Sequence, residues 1–188
     1  MQRLLVLVVL LTLGAATVAF ASSRGSDDRR GHHGKQRVAT ATLRNADGER
    51  VGRVWFKQHR RGDDVTVFAQ VRGLPPGFHG FHIHTTGACE PPTFMSAGGH
   101  FNPTDSDHPG HAGDLPTLLV NEDGTGMLAA ATDRFSIRDL RDDDGSAVMV
   151  HELPDNHANI PERYDPPPDE ETRMTGDAGS RLACGELR

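Results

Sequence analysis

The sequence predicts an all-β domain, an antiparallel sandwich or barrel, and three observations carry that prediction. Alternating apolar and polar residues recur from Val38 onward. Turn residues interrupt them at short, regular intervals, and no long stretch repeats at the i, i+3, i+4 spacing of an amphipathic helix. VATATLRNADGERVGRVWFKQ, residues 38–58, reads as two strands about a turn at Ala46-Asp47-Gly48. Alternation puts Trp55 half-buried on the second of them. DDVTVFAQVRG reads as a third strand, and Leu74-Pro75-Pro76-Gly77 breaks the chain before the next. LPTLLVNEDGTGMLAAATDRFSI holds a second hairpin about Asp123-Gly124, and SAVMVHE, residues 146–152, is a short apolar strand ending near His151.

The chain starts with a different kind of segment. Met1-Gln2-Arg3 precedes an apolar run, Leu4 to Ala21, that ends in Ala19-Phe20-Ala21, the pattern of a secretory signal peptide cleaved after Ala21. The competing reading is an uncleaved anchor, since such a run is at the lower edge of a spanning length. Residues 22–37 are polar, charged and Gly/Ser-containing, as a flexible linker is, and the domain is expected over 38–188. His32 and His33 there read as exposed tail residues. Loss of 1–21 removes one charge, Arg3, so the formal net charge goes from −6 to −7. Such an acidic chain is a poor partner for nucleic acid. The only cysteines, Cys89 and Cys184, are most simply a disulfide in an exported protein.

GFHGFHIH, residues 77–84, places three histidines within six residues. On a strand, residues i and i+2 share a face while i and i+3 do not, so His82 and His84 project together and His79 projects away. His79 then reads as a packing residue with hydrogen-bond partners. Paired neutral imidazoles are half of a metal site. The other half must come from two long segments, 85–114 and 152–180, which are poor in strand pattern and rich in Gly, Pro, Asp and His. His100, His108, His111 and Asp114 offer three imidazoles and a carboxylate, a set that suits tetrahedral zinc. His82, His84 and His151 offer three nitrogens, better suited to copper, which also changes oxidation state. Asp142-Asp143-Asp144 reads as a solvated turn, and His59, beside Arg60 and Arg61, as a solvated loop.

GFHGFHIH, SAGGHFNP, HAGDLP, VHE and GDAGSRLACG, in this order and with these intervals, resemble the copper/zinc superoxide dismutase family, in particular its bacterial exported branch. The resemblance spans about Val38 to Gly185. It implies a Greek-key β-barrel of about eight strands with two long functional loops, and copper and zinc ions as cofactors. It implies copper ligands at His82, His84, His100 and His151, zinc ligands at His100, His108, His111 and Asp114, and His100 as the imidazolate shared between them. By the same resemblance Arg181 is the active-site arginine, Asp155 the carboxylate linking His82 to His108, and Cys89–Cys184 the family's disulfide. The implied substrate is the superoxide anion, turned into oxygen and hydrogen peroxide. The implied location is secreted, periplasmic or cell-envelope, without stable membrane insertion after cleavage.

Three features depart from the family pattern. Only Pro109 and Gly110 separate His108 from His111, so the zinc loop is short. PERYDPPPDEE, residues 161–171, is acidic where relatives place a loop thought to guide substrate. The chain ends four residues after Cys184, which shortens the last strand and leaves a homodimer one possibility beside a monomer. Two further classes of function compete with the enzyme. One is a copper-binding or copper-carrier module on the same fold; a carrier needs neither a shared imidazolate nor an anion-guiding cation. The other is a zinc hydrolase, for which no carboxylate is obviously placed as general base.

Overall fold

A computed structural model describes residues 37–58, 64–161, 163 and 167–188. The expected signal peptide, residues 22–36 of the linker with His32 and His33, and His59 lie outside the described residues. The described strands are β1 (Arg37–Asn45), β2 (Arg50–Gln58), β3 (Val65–Val71), β4 (Gly77–His79), β5 (Phe81–His84), β6 (Leu118–Val120), β7 (Gly126–Thr132), β8 (Ala147–His151) and β9 (Arg181–Glu186). One short helix, α1 (Glu170–Thr175), and two 3-10 turns, Met95–Ala97 and Asp139–Arg141, complete the regular structure.

All strand pairs are antiparallel, in the order β4-β6-β7-β3-β2-β1-β9-β8-β5. The chain passes directly from β4, at one end of this order, through Gly80 to β5 at the other, which nearly closes the sheet into a barrel. The connection from β3 to β4 skips over β7 and β6, the crossover of a Greek key. About eight strands were expected and nine are seen, because Gly80 divides the histidine-bearing run in two. Both hairpins form at the expected turns, with Gly48 and Gly124 at positive φ.

Alternation decides which side chains fill the barrel. In β3, Val65, Val67, Ala69 and Val71 are buried and Thr66 and Gln70 exposed. Leu43, Val54, Phe56, Phe81, Ile83 and Val148 are among the fully buried side chains of that core. Each such burial contributes about 1.5–3 kcal/mol. β8 departs from alternation, since all five of its residues are buried. Val148 and Val150 face the barrel, whereas Ala147 and Met149 pack with Phe94, Ala97 and Cys184 in a second apolar cluster under the loop after β5. The Cys89–Cys184 disulfide, with Cα atoms 5.6 Å apart, ties that loop to β9.

β9 lies between β1 and β8, and beyond it Arg188 still exchanges two 2.9 Å backbone hydrogen bonds with Thr40 of β1. The last strand is therefore integral to the sheet. Trp55 is half-buried, and Asp142, Asp143 and Asp144 are exposed before Gly145, as the pattern suggested. Among the described residues no helix is long and apolar enough to cross a membrane.

Candidate metal centre

β5 builds the first part of the site. Its register pairs Phe81 with Val150 and Ile83 with Val148, which sends those four apolar side chains into the barrel. The opposite face must then carry His82 and His84, and on β8 it carries His151. β5 ends the strand order, so its other edge would be left unpaired. The loop from His100 to Asp114 runs along that edge: Phe101 N–H donates to Ile83 C=O at 2.8 Å and Ile83 N–H to Gly113 C=O at 2.9 Å. Backbone bridges set His100 opposite His84 and Asp114 opposite His82. A Cβ on Gly113 would collide with the Ile83 carbonyl, so the close approach requires glycine there.

Two donor sets result. One atom each from His82, His84, His100 and His151 lie within 4.8 Å of one another, and so do one atom each from His100, His108, His111 and Asp114. All seven residues are buried, and the two sets meet at His100. Hydrogen bonds on the outer nitrogens select the inner ones. His84 Nδ1 donates to Gly98 C=O at 2.9 Å and His151 Nδ1 to Gly179 C=O at 3.1 Å, which leaves the two Nε2 atoms facing each other at 3.3 Å. His82 Nε2 donates to Asp155 Oδ2 at 2.7 Å, and its Nδ1 is buried without a partner. His100 Nε2 is likewise partnerless, while its Nδ1 lies 2.9 Å from Asp114 Oδ1 and 3.1 Å from His111 Nδ1. His108 Nδ1 sits 3.0 Å from Asp114 Oδ2 without hydrogen-bonding geometry.

Buried ring nitrogens without hydrogen-bond partners are costly unless something accepts their lone pairs. Four converging imidazoles suit copper, and three imidazoles with a carboxylate suit zinc, so the residues present fit both ions. The short His108–His111 spacing still closes its donor set. A third group, His82, His108 and Asp155, also lies within metal-binding reach. Its contacts are N–H to carboxylate bonds, His108 Nε2 giving its proton to Asp155 Oδ1 at 2.8 Å, so it orients the imidazoles of the other two sets.

Electrostatics prepares the nitrogens. Burial is the largest influence on His82 and pushes it down to about 4 despite its bond to Asp155. Burial also lowers His151 to about 3, and lowers His84 and His111. These imidazoles are neutral near pH 7, the form that binds a metal. For His108 burial is again the largest influence, but the adjacent carboxylates of Asp114 and Asp155 outweigh it and raise the group to about 9. Those same histidine contacts overcome burial and hold both carboxylates well below their usual range.

Arg181 stands over the first set. Its Nη1 donates to Phe94 C=O at 2.5 Å and its Nη2 to Gly98 C=O at 2.6 Å, the same carbonyl that orients His84. Burial lowers its pKa, yet a guanidinium remains charged. With His84, His100 and His151 it lines an open cavity of about 490 Å³. His79 stays outside both sets, its ring nitrogens 2.8 Å from the His151 and Pro75 carbonyls, as a packing residue. Three supports were not foreseen in the sequence. The Gly98 carbonyl orients both His84 and Arg181, the His157 N–H donates to Asp155 Oδ1 at 2.7 Å, and Gly176 lies against Asp155. Backbone groups carry no side-chain signature, and a turn glycine does not announce what it touches.

Residues 50–187 match the family model described as copper/zinc superoxide dismutase (SODC). The superoxide dismutase [Cu-Zn] of Mycolicibacterium paratuberculosis is 44% identical over 170 residues, covering 79% of this chain and 73% of that protein. The superoxide dismutase [Cu-Zn] 2 of Aquifex aeolicus is 30% identical over 186 residues, covering 93% and 95%. Among solved structures, a SOD-like protein from Bacillus subtilis superposes with a TM-score of 0.66 at 32% identity, over 79% of this chain and 97% of that one. The chain belongs to the copper/zinc superoxide dismutase family, and is an enzyme of that activity with copper and zinc as its metals.

Proposed function

We propose that this chain disproportionates superoxide outside the cytoplasm at a joined copper and zinc centre. His82, His84, His100 and His151 would hold copper, and His100, His108, His111 and Asp114 would hold zinc. The observation that carries this reading is the position of His100, whose Nε2 faces one donor set and whose Nδ1 faces the other. An imidazole joins two cations when both ring protons are lost, and two nearby dications make that loss favourable. Copper, when bound, would supply the one-electron chemistry by which one superoxide is oxidised to dioxygen and a second is reduced.

The second superoxide needs two protons to leave as hydrogen peroxide. His100 Nε2, buried and facing the copper donor set, is placed to hand over one of them, and solvent in the open cavity supplies the other. Arg181 draws the anion in and orients it, because its two backbone bonds leave the cation facing the cavity beside His84, His100 and His151. Asp155 keeps His82 and His108 in the tautomers that point their Nδ1 atoms inward. Export is supported by the Leu4–Ala21 run and by the Cys89–Cys184 disulfide, which suits an oxidising compartment.

The test is metal content and dismutation rate of the purified mature protein starting at Ser22. About one copper and one zinc per chain is expected, with activity lost on copper removal. Arg181→Glu is expected to slow turnover with copper retained. Bound copper without activity would replace the enzyme with a carrier, and an unchanged rate in the Arg181 variant would remove the guidance role.

A further inference from the structure

The cavity above the histidines is lined by more than an anion channel needs. Of the chain's five methionines, Met149 is buried in the core, while Met95 and Met174 are 66% and 58% exposed and both line the 490 Å³ cavity. Long apolar side chains left in water forgo about 1.5–3 kcal/mol of burial each, so packing does not account for the pair. Met127, equally exposed on β7, lies outside this cavity.

Both thioethers sit on backbone tied to the site. Met95 opens the 3-10 turn whose flanking carbonyls, Phe94 and Gly98, are held by Arg181. Met174 lies in α1, where the preceding carbonyl, Arg173 C=O, accepts the His108 N–H at 2.8 Å. The lining also contains Asp105, Asp107 and Glu171 against Arg173 and Arg181. Three carboxylates thus share the lining with two guanidiniums, so an entering cation meets acidic side chains at the mouth.

We propose that Met95 and Met174 form a landing site for Cu(I), from which the ion passes inward to His84 and His151. The inference rests on the copper reading of the inner histidines. Thioether sulfur is a soft, neutral donor that binds Cu(I) in preference to zinc or other hard cations. A neutral donor suits a position beside Arg181, where the ion must arrive against a fixed positive charge. His84 and His151 wait below with unprotonated Nε2 atoms, so each Cu–S bond is replaced by a Cu–N bond without change of oxidation state. The same selectivity keeps zinc from lodging at the mouth.

The first experiment uses the mature protein loaded with copper and zinc and labelled with ¹³C at its methionine methyl groups. Ag(I), a closed-shell analogue of Cu(I), is the probe. The Met95 and Met174 methyl signals are expected to shift together, ahead of Met127, and Met95→Leu is expected to abolish most of the Met174 shift. Equal response of Met127, or an unchanged Met174 shift in Met95→Leu, would overturn the shared site. The second experiment follows Cu(I) transfer from its bicinchoninate complex to copper-free, zinc-loaded protein. Met95→Leu with Met174→Leu is expected to slow transfer about tenfold, with Cu(II) uptake and final copper content unchanged. Equal Cu(I) rates, or equal slowing of Cu(II), would refute the landing role. A failure of the inner copper site would show differently, as low copper content in the unaltered chain.

Discussion

Asp155 is one carboxylate on which both donor sets depend, since its two oxygens take the outer protons of His82 and His108. Removing its charge frees both rings to turn. Asp155→Asn is expected to weaken metal retention by about 10–100-fold, read by competition with a chelator, with zinc lost first because among the described residues Asp114 is the one other carboxylate at His108. Gly176 tests the same contact from the backbone side. It has φ +62°, and a Cβ there would overlap Asp155 Oδ1 and lie 2.6 Å from His108 Nε2. Gly176→Ala is expected to reproduce the zinc loss with the carboxylate still present; wild-type retention in both variants would remove Asp155 from the design. The sequence made Asp155 legible through the resemblance. Nothing in it made Gly176 legible as a contact, because glycine is common in turns for other reasons.

At the scale of elements, the site is a strand face joined to a loop edge. The i, i+2 rule put His82 and His84 together from the sequence alone, and the register with β8 then delivered His151 to the same side. α1 was not expected, because a six-residue helix is too short to show periodicity. Its stop and start are nonetheless written locally. Asp169 Oδ1 accepts the Thr172 N–H at 3.0 Å as N-cap, and Gly176 ends the helix in the left-handed region. This helix anchors the loop that carries His108 and His111 through the bond from His108 N–H to Arg173 C=O. Asp169→Ala is expected to speed amide hydrogen exchange at Thr172 and His108 while copper content stays unchanged. Unaltered exchange at His108 would show that the loop holds itself without the helix.

Across the whole molecule, stability and metal binding are coupled through protons. In the metal-free protein His82 and His151 are held near 4 and 3, against an ordinary value of 6.5. The unfolded chain therefore binds more protons between pH 6.5 and 4, and stability falls as pH falls through that window. His108, raised to about 9, acts in the opposite sense: its contribution is present below 6.5 and is lost as pH rises toward 9. Asp114 and Asp155, held low, stay ionised throughout. The melting temperature of metal-free protein in chelator is expected to peak near pH 6.5, with the steeper fall on the acid side. A flat profile from 6.5 to 4 would contradict the buried neutral histidines. The disulfide closes a 95-residue separation and, on the chain-entropy view, contributes about 4–5 kcal/mol.

The sequence by itself determined the β class, the hairpins at Asp47-Gly48 and Asp123-Gly124, the shared face of His82 and His84, and the set of candidate donors. These follow from local rules: two-residue periodicity, turn chemistry and the preference of ions for particular atoms. What only the tertiary structure decided is which nitrogen of each histidine faces inward, that a two-residue spacer still closes the second donor set, and that one carbonyl at Gly98 serves both His84 and Arg181. Those features join segments up to 83 residues apart, as the Arg181–Gly98 bond does. Their partners are distant carboxylates such as Asp155 or backbone carbonyls such as that of Gly98, so no local pattern in the chain encodes them.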